Sequence, residues 1–276
     1  MSRDHRRDDD ATPRARRRIV YAPVTFSEER GVRFLHFGTE WVQGAMRLRK
    51  PDAIELEYAQ QMMAWTLFLD APRDVVQLGL GAASLTKFCH AHFPAAQVTA
   101  VELNPAVIVA ARTMFGLPDD DATLSVVEGD AEAFVANAER DGSIDVLQVD
   151  LYDALARGPV LESLEFYARC RACLREPGVL TVNLFGAHAS FTRNIRSLGA
   201  AFNGRVIALP EVHEGNRVAI AFAGPSIHVP WTDLRERAAV VARRYGLRAP
   251  AWVDGLHASV AGSRRSGQRE ASAFRI

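Results

Sequence analysis

From Val75 to Phe185 the chain alternates short runs of β-forming apolar residues with stretches of helical spacing, and this alternation restricts the fold more than any other feature. The runs are VVQLGL (75–80), QVTAVEL (97–103), TLSVVEG (123–129), IDVLQVD (144–150) and VLTVNLF (179–185). Between them lie SLTKFCHAHF, AVIVAARTMF, AEAFVANAE and LESLEFYARCRACL, whose apolar residues recur at helical intervals. Strands and helices in this rhythm imply βαβ units and a parallel sheet. Strands of such a sheet are covered on both faces, which accounts for runs that are almost wholly apolar. Asn104-Pro105 is a helix start, with Asn as cap and Pro at the first helical position. Pro177-Gly178 is the corresponding stop and turn before the next strand. Further on, the pattern predicts a helix near 190–201, an antiparallel hairpin of RVIAL (205–209) and RVAIAF (217–222), and a helix over roughly 232–245.

The flanks read differently. Residues 1–18 are crowded with Arg and Asp and carry almost no apolar side chain, so burial cannot offset their chain entropy and a disordered arm is expected. RFLHFGTEWVQGAMRLR (33–49) alternates like a two-stranded ribbon with Gly38 near one bend, and IELEYAQQMMAWTLFL (54–69) carries a helical apolar face. These segments make a small β-ribbon and helix lobe over 19–70, ahead of a Rossmann-like domain over 71–248. The segment 249–276, and in particular SVAGSRRSGQREASAFRI from Ser259, reads as a flexible tail.

Lys+Arg and Asp+Glu balance at 33 each, which gives no electrostatic reason to expect nucleic acid as a partner. No run approaches the roughly 20 apolar residues of a membrane span, and no apolar stretch follows the N-terminal charges as a secretory signal requires. A cytoplasmic protein is expected. Cys170 and Cys173 form a C-x-x-C, but it lies in a helical pattern without a second Cys/His pair at zinc spacing, so buried thiols and no metal are expected. His90 and His92 receive the same reading.

Ligands of open parallel sheets sit beyond the carboxyl ends of the strands, where strand order reverses. The first run leads into Gly79-Leu80-Gly81, where backbone can approach a ligand closely. The second ends in Glu102, about twenty residues on, where a carboxylate can accept both ribose hydroxyl protons. The third leads into Asp130, which suits an adenine amino group and equally suits helix capping. The fourth ends in Asp150, with Asp153 three residues on. The dinucleotide fingerprint lacks its final Gly, and an S-adenosyl nucleoside, having no pyrophosphate, needs none. The sequence therefore favours that ligand over NAD.

With these residues in place, the chain from about 33 to 222 resembles the polyamine aminopropyltransferases, the spermidine and spermine synthases. WVQ (41–43) resembles the ribbon segment whose Gln contacts the nucleoside, here Gln43. ELEYAQQM (55–62) resembles E-x-x-Y-H-E-M and makes Tyr58 the acceptor-pocket tyrosine. LGLGAASL resembles G-G-G-D-G-G, VELN resembles V-E-I-D, and EGDA resembles G-D-A. DLYDALARGPVLESLEFY resembles the gatekeeper loop that carries the proton-abstracting Asp, so Asp150 and Asp153 inherit that role. LPEVHEGNRVAIAF resembles the P-T-Y-P-S-G segment. The chain departs at Ala82, where the family's Asp holds the aminopropyl amine, and at Ala59, Gln60 and Val212. Glu211 and Glu214 are candidates to replace lost amine contacts.

The resemblance implies a methyltransferase-type Rossmann-like fold with a mostly parallel sheet and a C-terminal antiparallel hairpin. It implies aminopropyl transfer from decarboxylated S-adenosylmethionine to a putrescine-like amine, with Asp150 and Asp153 catalytic and no prosthetic group. It leaves a homodimer open, because the family often pairs through its N-terminal lobe. Two alternatives stand beside it: a methyltransferase using S-adenosylmethionine itself, which Ala82 favours, and a non-catalytic nucleoside-binding relative.

Overall fold

A computed structural model of the chain describes residues 21–153, 160–186, 188–213, 215–262 and 272–276. The expected arm over 1–18 and the candidate Glu214 lie outside them. The N-terminal lobe is an antiparallel sheet of β1 (Thr25–Glu29), β2 (Val32–His36) and β3 (Gly44–Arg47), followed by α1 (Glu57–Met62) and a 3-10 turn over Met63–Leu67. The expected ribbon had two strands; the third, β1, is exposed at all five positions and so shows no apolar alternation.

The main domain runs β4 (Asp74–Leu78), α2 (Ser84–His92), β5 (Gln97–Glu102), α3 (Pro105–Phe115), β6 (Leu124–Glu128), α4 (Ala131–Ala136), β7 (Ile144–Val149), α5 (Leu164–Cys173) and β8 (Leu174–Phe185). It continues with α6 (Ser190–Ala201), β9 (Val206–Ala208), β10 (Asn216–Ala223), β11 (His228–Pro230), α7 (Trp231–Tyr245), α8 (Ala249–Gly262) and β12 (Ala273–Arg275). Seven strands form one sheet in the order β6-β5-β4-β7-β8-β10-β9. The first five of these pair in parallel, and β10 is antiparallel to both β8 and β9. Asn104 caps α3 by accepting from the Ala106 amide at 3.0 Å, and Pro105 opens the helix. The expected turn at Pro177-Gly178 instead falls inside β8, where pairing with β7 skips from Leu174 to Val179.

Both faces of the sheet are covered, as its apolar strands require. Trp65, Phe88, Phe222 and Phe274 belong to the core on one side, and Phe166, Tyr167 and Phe202 to the core on the other. Cys89, Cys170 and Cys173 are buried free thiols. His90 lies within 3.4 Å of Asp121, and His92 stacks between Phe88 and Tyr245.

The segment expected to be a flexible tail is structured where it is described. Trp252, Val253 and Leu256 of α8 are buried, and β12 pairs with β11. Phe274 is fully buried against Phe68, Phe222 and Trp231, a placement of about 2–3 kcal/mol. The apolar residues of α8 are interrupted by Gly255 and Asp254, and β12 has only three residues, so neither gives a long periodic signal. Among the described residues, no helix is long and apolar enough to cross a membrane.

Candidate active site

Strand order reverses between β4 and β7, which are hydrogen-bonded neighbours with connections leaving in opposite directions. Gly79 follows β4 with φ +89°, and Gly81 has φ +52°. A Cβ at Gly79 would collide with the Asp150 carbonyl oxygen, so glycine is required by conformation and by close approach alike. The same region is tied by main-chain bonds from Asp150 N–H to Leu78 at 2.9 Å and from Gly79 N–H to Val101 at 2.8 Å.

Glu102 closes β5 and folds its carboxylate under the glycine turn. Its Oε2 accepts from the Leu80 amide and its Oε1 from the Asn104 amide, each at 2.9 Å. Burial pushes its pKa up, while the amides of Asn104, Leu80, Leu103 and Gly81 oppose that shift. A carboxylate oxygen has two lone pairs, so these bonds leave capacity for a ligand's hydroxyls. Of the two roles its position allows, Asp130 performs the helix cap. Its Oδ1 caps α4 through the Ala133 amide at 2.8 Å, and the residue also lines the cavity described next.

That cavity has a volume of about 650 Å³. Its floor is made by the strand ends at Gly79, Glu102, Asp130 and Asp150, and its apolar roof by Phe34, Phe37, Trp41 and Val42 of the N-terminal lobe. Its size is within the range of small-molecule sites, as is its mixture of apolar wall and few polar groups. Gln43 also lines it, and its Nε2 donates to the Asp153 carbonyl at 3.1 Å, joining the lobe to the segment after β7. Lys87 of α2 fastens the lobe lower down, donating to the Pro51 carbonyl at 2.7 Å and the Phe115 carbonyl at 2.6 Å.

The Asp150 carboxyl lies deep in the cavity wall. Asn183 Nδ2 donates to its Oδ1 at 2.8 Å, and the Tyr58 hydroxyl faces its Oδ2 at 3.5 Å, the outer limit of a hydrogen bond. Burial pushes its pKa up to about 6, with the Asn183 and Tyr58 bonds acting in the other direction. Asp150 therefore stands nearer to neutrality than an ordinary carboxylate.

The structure thus brings Gln43, Tyr58, Gly79, Gly81, Glu102, Asp130, Asp150 and Asp153 to one cavity. Glu211 is not brought there: it is exposed on the hairpin connection beside Gly186 and Arg217, outside the described lining. The hairpin turn carries it past the end of β10, whereas the inward-facing position is taken by Asn216. Ala82 is also turned away from the cavity. It packs in a satellite cluster with Leu35, Met46 and Phe115, so close to the lobe that a Cβ on Gly44 would come within 2.7 Å of its own Cβ.

Tyr152, Asn183, Phe185 and Asn216 line the cavity without having been singled out in the sequence. Asn183 and Asn216 are polar residues at the ends of apolar strand runs, and that interruption was the available signal. Their convergence depends on the β8–β10 register, which pairs Asn183 with Val218 and Phe185 with Asn216. Residues two apart on a strand share a face, so the two asparagines are diagonal neighbours.

No protein-family model matches the chain. It is 34% identical over 233 residues to a polyamine aminopropyltransferase of Chromobacterium violaceum, covering 84% of this chain and 88% of that protein. It is 32% identical over 240 residues to the polyamine aminopropyltransferase of Neisseria meningitidis, covering 87% and 90%. Among solved structures, a probable spermidine synthase from Corynebacterium glutamicum is similar with a TM-score of 0.66 at 19% identity, over 91% of this chain and 95% of that one. Human methyltransferase-like protein 13 in complex with SAH is similar with a TM-score of 0.62 at 23% identity, over 70% and 93%. Both structural likenesses carry the fold, a methyltransferase-type Rossmann-like sheet. Sequence identity of this extent, over more than four fifths of the chain, places it in the polyamine aminopropyltransferase family.

Proposed function

We propose that the chain transfers an aminopropyl group from decarboxylated S-adenosylmethionine to a small amine, with Asp150 as the group that receives the amine's proton. The observation that carries this reading is the Asp150 carboxyl, buried at the sheet's switch point with its pKa near 6 and facing a cavity of nucleoside size. Glu102 would accept from the ribose hydroxyls and Asp130 from the base. Gly79 and Gly81 would let the backbone pass close to the sulfonium, and Gln43 and Tyr58 would close the site from the lobe.

In the reaction, the neutral nitrogen of the acceptor attacks the methylene carbon bonded to the sulfonium. A C–N bond forms, the C–S bond breaks with its electron pair going to sulfur, and methylthioadenosine leaves. An alkylammonium has a pKa of about 10.4, so roughly one acceptor in a thousand is neutral near pH 7.4. An ordinary carboxylate lies about six units below the amine; raising Asp150 narrows that gap to about four and makes it a better proton acceptor. The desolvated pocket must also align nitrogen, carbon and sulfur, which supplies much of the acceleration.

A methyltransferase reading keeps one specific support. Ala82 offers neither a carboxylate for an aminopropyl ammonium nor a side chain in the cavity. Calorimetry with both sulfonium donors, together with mass spectrometry of the products from putrescine and related diamines, separates the two. Tighter binding of the decarboxylated donor with release of methylthioadenosine is expected. Release of S-adenosylhomocysteine would transfer the assignment to methyl transfer.

A further inference from the structure

Asp150 is the end of a longer chain of hydrogen bonds that are buried or partly buried. Asn183 Nδ2 donates to Asp150 Oδ1 at 2.8 Å, and Asn183 Oδ1 accepts from Asn216 Nδ2 at 2.9 Å. Asn216 Nδ2 also donates to the Tyr152 hydroxyl at 3.2 Å. The chain is drawn from three places: the loop after β7, strand β8 and strand β10. Asn183 is 1% exposed and Asn216 8%, so each bond is made where an unpaired amide would be costly.

The polarity of this chain is fixed by the carboxylate. An ionised carboxylate only accepts, so Asn183 must present its amide nitrogen to Asp150 and its oxygen to Asn216. Asn216 must then donate toward Asn183, and its other hydrogen is taken by Tyr152. Flipping either amide would set oxygen against oxygen. The direction is therefore self-consistent over three side chains, and buried networks of this kind hold their members in one arrangement.

We propose that Asn183, Asn216 and Tyr152 are positioning residues that lock the Asp150 carboxylate into the orientation from which it meets the acceptor amine. The proposal rests on the reading of Asp150 as the proton-receiving group. Its reach is local: Tyr58 faces Asp150 from α1, Asn183 from β8, and Tyr152 and Asp153 follow in the chain, while the glycine turn contributes backbone only. Among the described residues no ion pair forms with the Asp150 carboxyl, so hydrogen bonding is what opposes its desolvation. Burial and the neighbouring Asp150 charge both push the Tyr152 phenol upward, so it stays protonated and serves as a fixed acceptor for Asn216.

The test is a carbon-13 titration of the Asp150 carboxyl in the full chain, assigned by loss of its signal in Asp150→Asn. The wild-type midpoint is expected near 6. Asn183 favours the charged form, so Asn183→Ala should raise the midpoint by about one unit or more, Asn216→Ala by less, and Tyr152→Phe by a few tenths. Turnover measured as methylthioadenosine release from decarboxylated S-adenosylmethionine and putrescine should fall in the same order, through kcat rather than the donor KM. In an Asp150→Asn background Asn183→Ala should cost nothing further, because it acts through Asp150. Unchanged midpoints in the asparagine variants would overturn the proposal. Should Asn183→Ala not fold, Tyr152→Phe removes one hydroxyl and decides by the same midpoint. If the midpoints move but Asp150→Asn turns over normally, the hydrogen bonds to Asp150 stand while its catalytic reading, and with it the positioning role, is overturned.

Discussion

The two halves of the cavity are built in different ways. On the β4–β6 side, cavity-lining groups sit in consecutive strand-to-helix turns and are held by main chain: Glu102 by the amides of Leu80 and Asn104, Asp130 by its own helix cap. On the β7–β10 side, Asp150 is held by side chains from distant segments, Asn183 and Tyr58, and through Asn183 by Asn216. Main-chain cradles follow from the fold and tolerate substitution elsewhere. Side-chain relays depend on each member and on strand register. The departures from the family pattern fall on both sides, Ala82 beside the glycine turn and Val212 in the hairpin connection, and both have structural counterparts: the first packs under the lobe and the second is buried.

This contrast can be broken by experiment. The largest effect should come from Asp150→Asn, which should lower turnover by about a hundredfold or more with donor KM nearly unchanged. Near-normal turnover would remove the chemistry from the side-chain half. Glu102→Gln should do the reverse. It loses charge-assisted bonds of about 1.5–3 kcal/mol, so donor binding should weaken by roughly ten- to a hundredfold with kcat largely kept. A kcat loss without a binding loss would show that the two halves are not separable.

Stability gives a third comparison. Asp150 has a folded pKa near 6, above the 3.8 of an unperturbed aspartate. The folded state therefore holds more protons than the unfolded state between those values, and stability falls as pH rises through that window. Asp150→Asn removes the penalty. It should be more stable than the wild type at pH 7.5, by on the order of 2 kcal/mol, with the gap closing toward pH 4. Denaturant titrations at both pH values measure this, and a gap independent of pH would contradict a buried, destabilising carboxylate. The smallest effect is expected at Asp130. Asn caps as well as Asp, so Asp130→Asn should keep stability within a few tenths of a kcal/mol, whereas Asp130→Ala should lose about 1 kcal/mol. Any fall in donor affinity for the Asn variant then reports the ligand contact alone.

The acidic residues at the strand ends were legible because they lie where local pattern and chemistry coincide. Apolar runs located β4 to β7, and the acidic residues at or just beyond the ends of three of those runs were candidates. Glu102, Asp130 and Asp150 all line the cavity for that reason. The asparagines that hold Asp150 were less legible, since Asn183 and Asn216 become neighbours only through the antiparallel register of β8 and β10. Glu211 was chosen for charge, but charge does not say which way a hairpin turn points. The strand β1, with every side chain exposed, and the three-residue β12 lack periodicity of any useful length, so pairing and burial at Phe274 had to be seen in three dimensions.

The contact between Gly79 and the Asp150 carbonyl has a consequence for altering this enzyme. Because backbone rests on backbone there, the spacing between the glycine turn and the main chain of Asp150 is a property of the sheet, unreachable by changing side chains. Directed evolution toward new amines would then accumulate its useful changes along β8, β10 and the lobe, and any library that spends diversity on the glycine turn should return mostly dead clones.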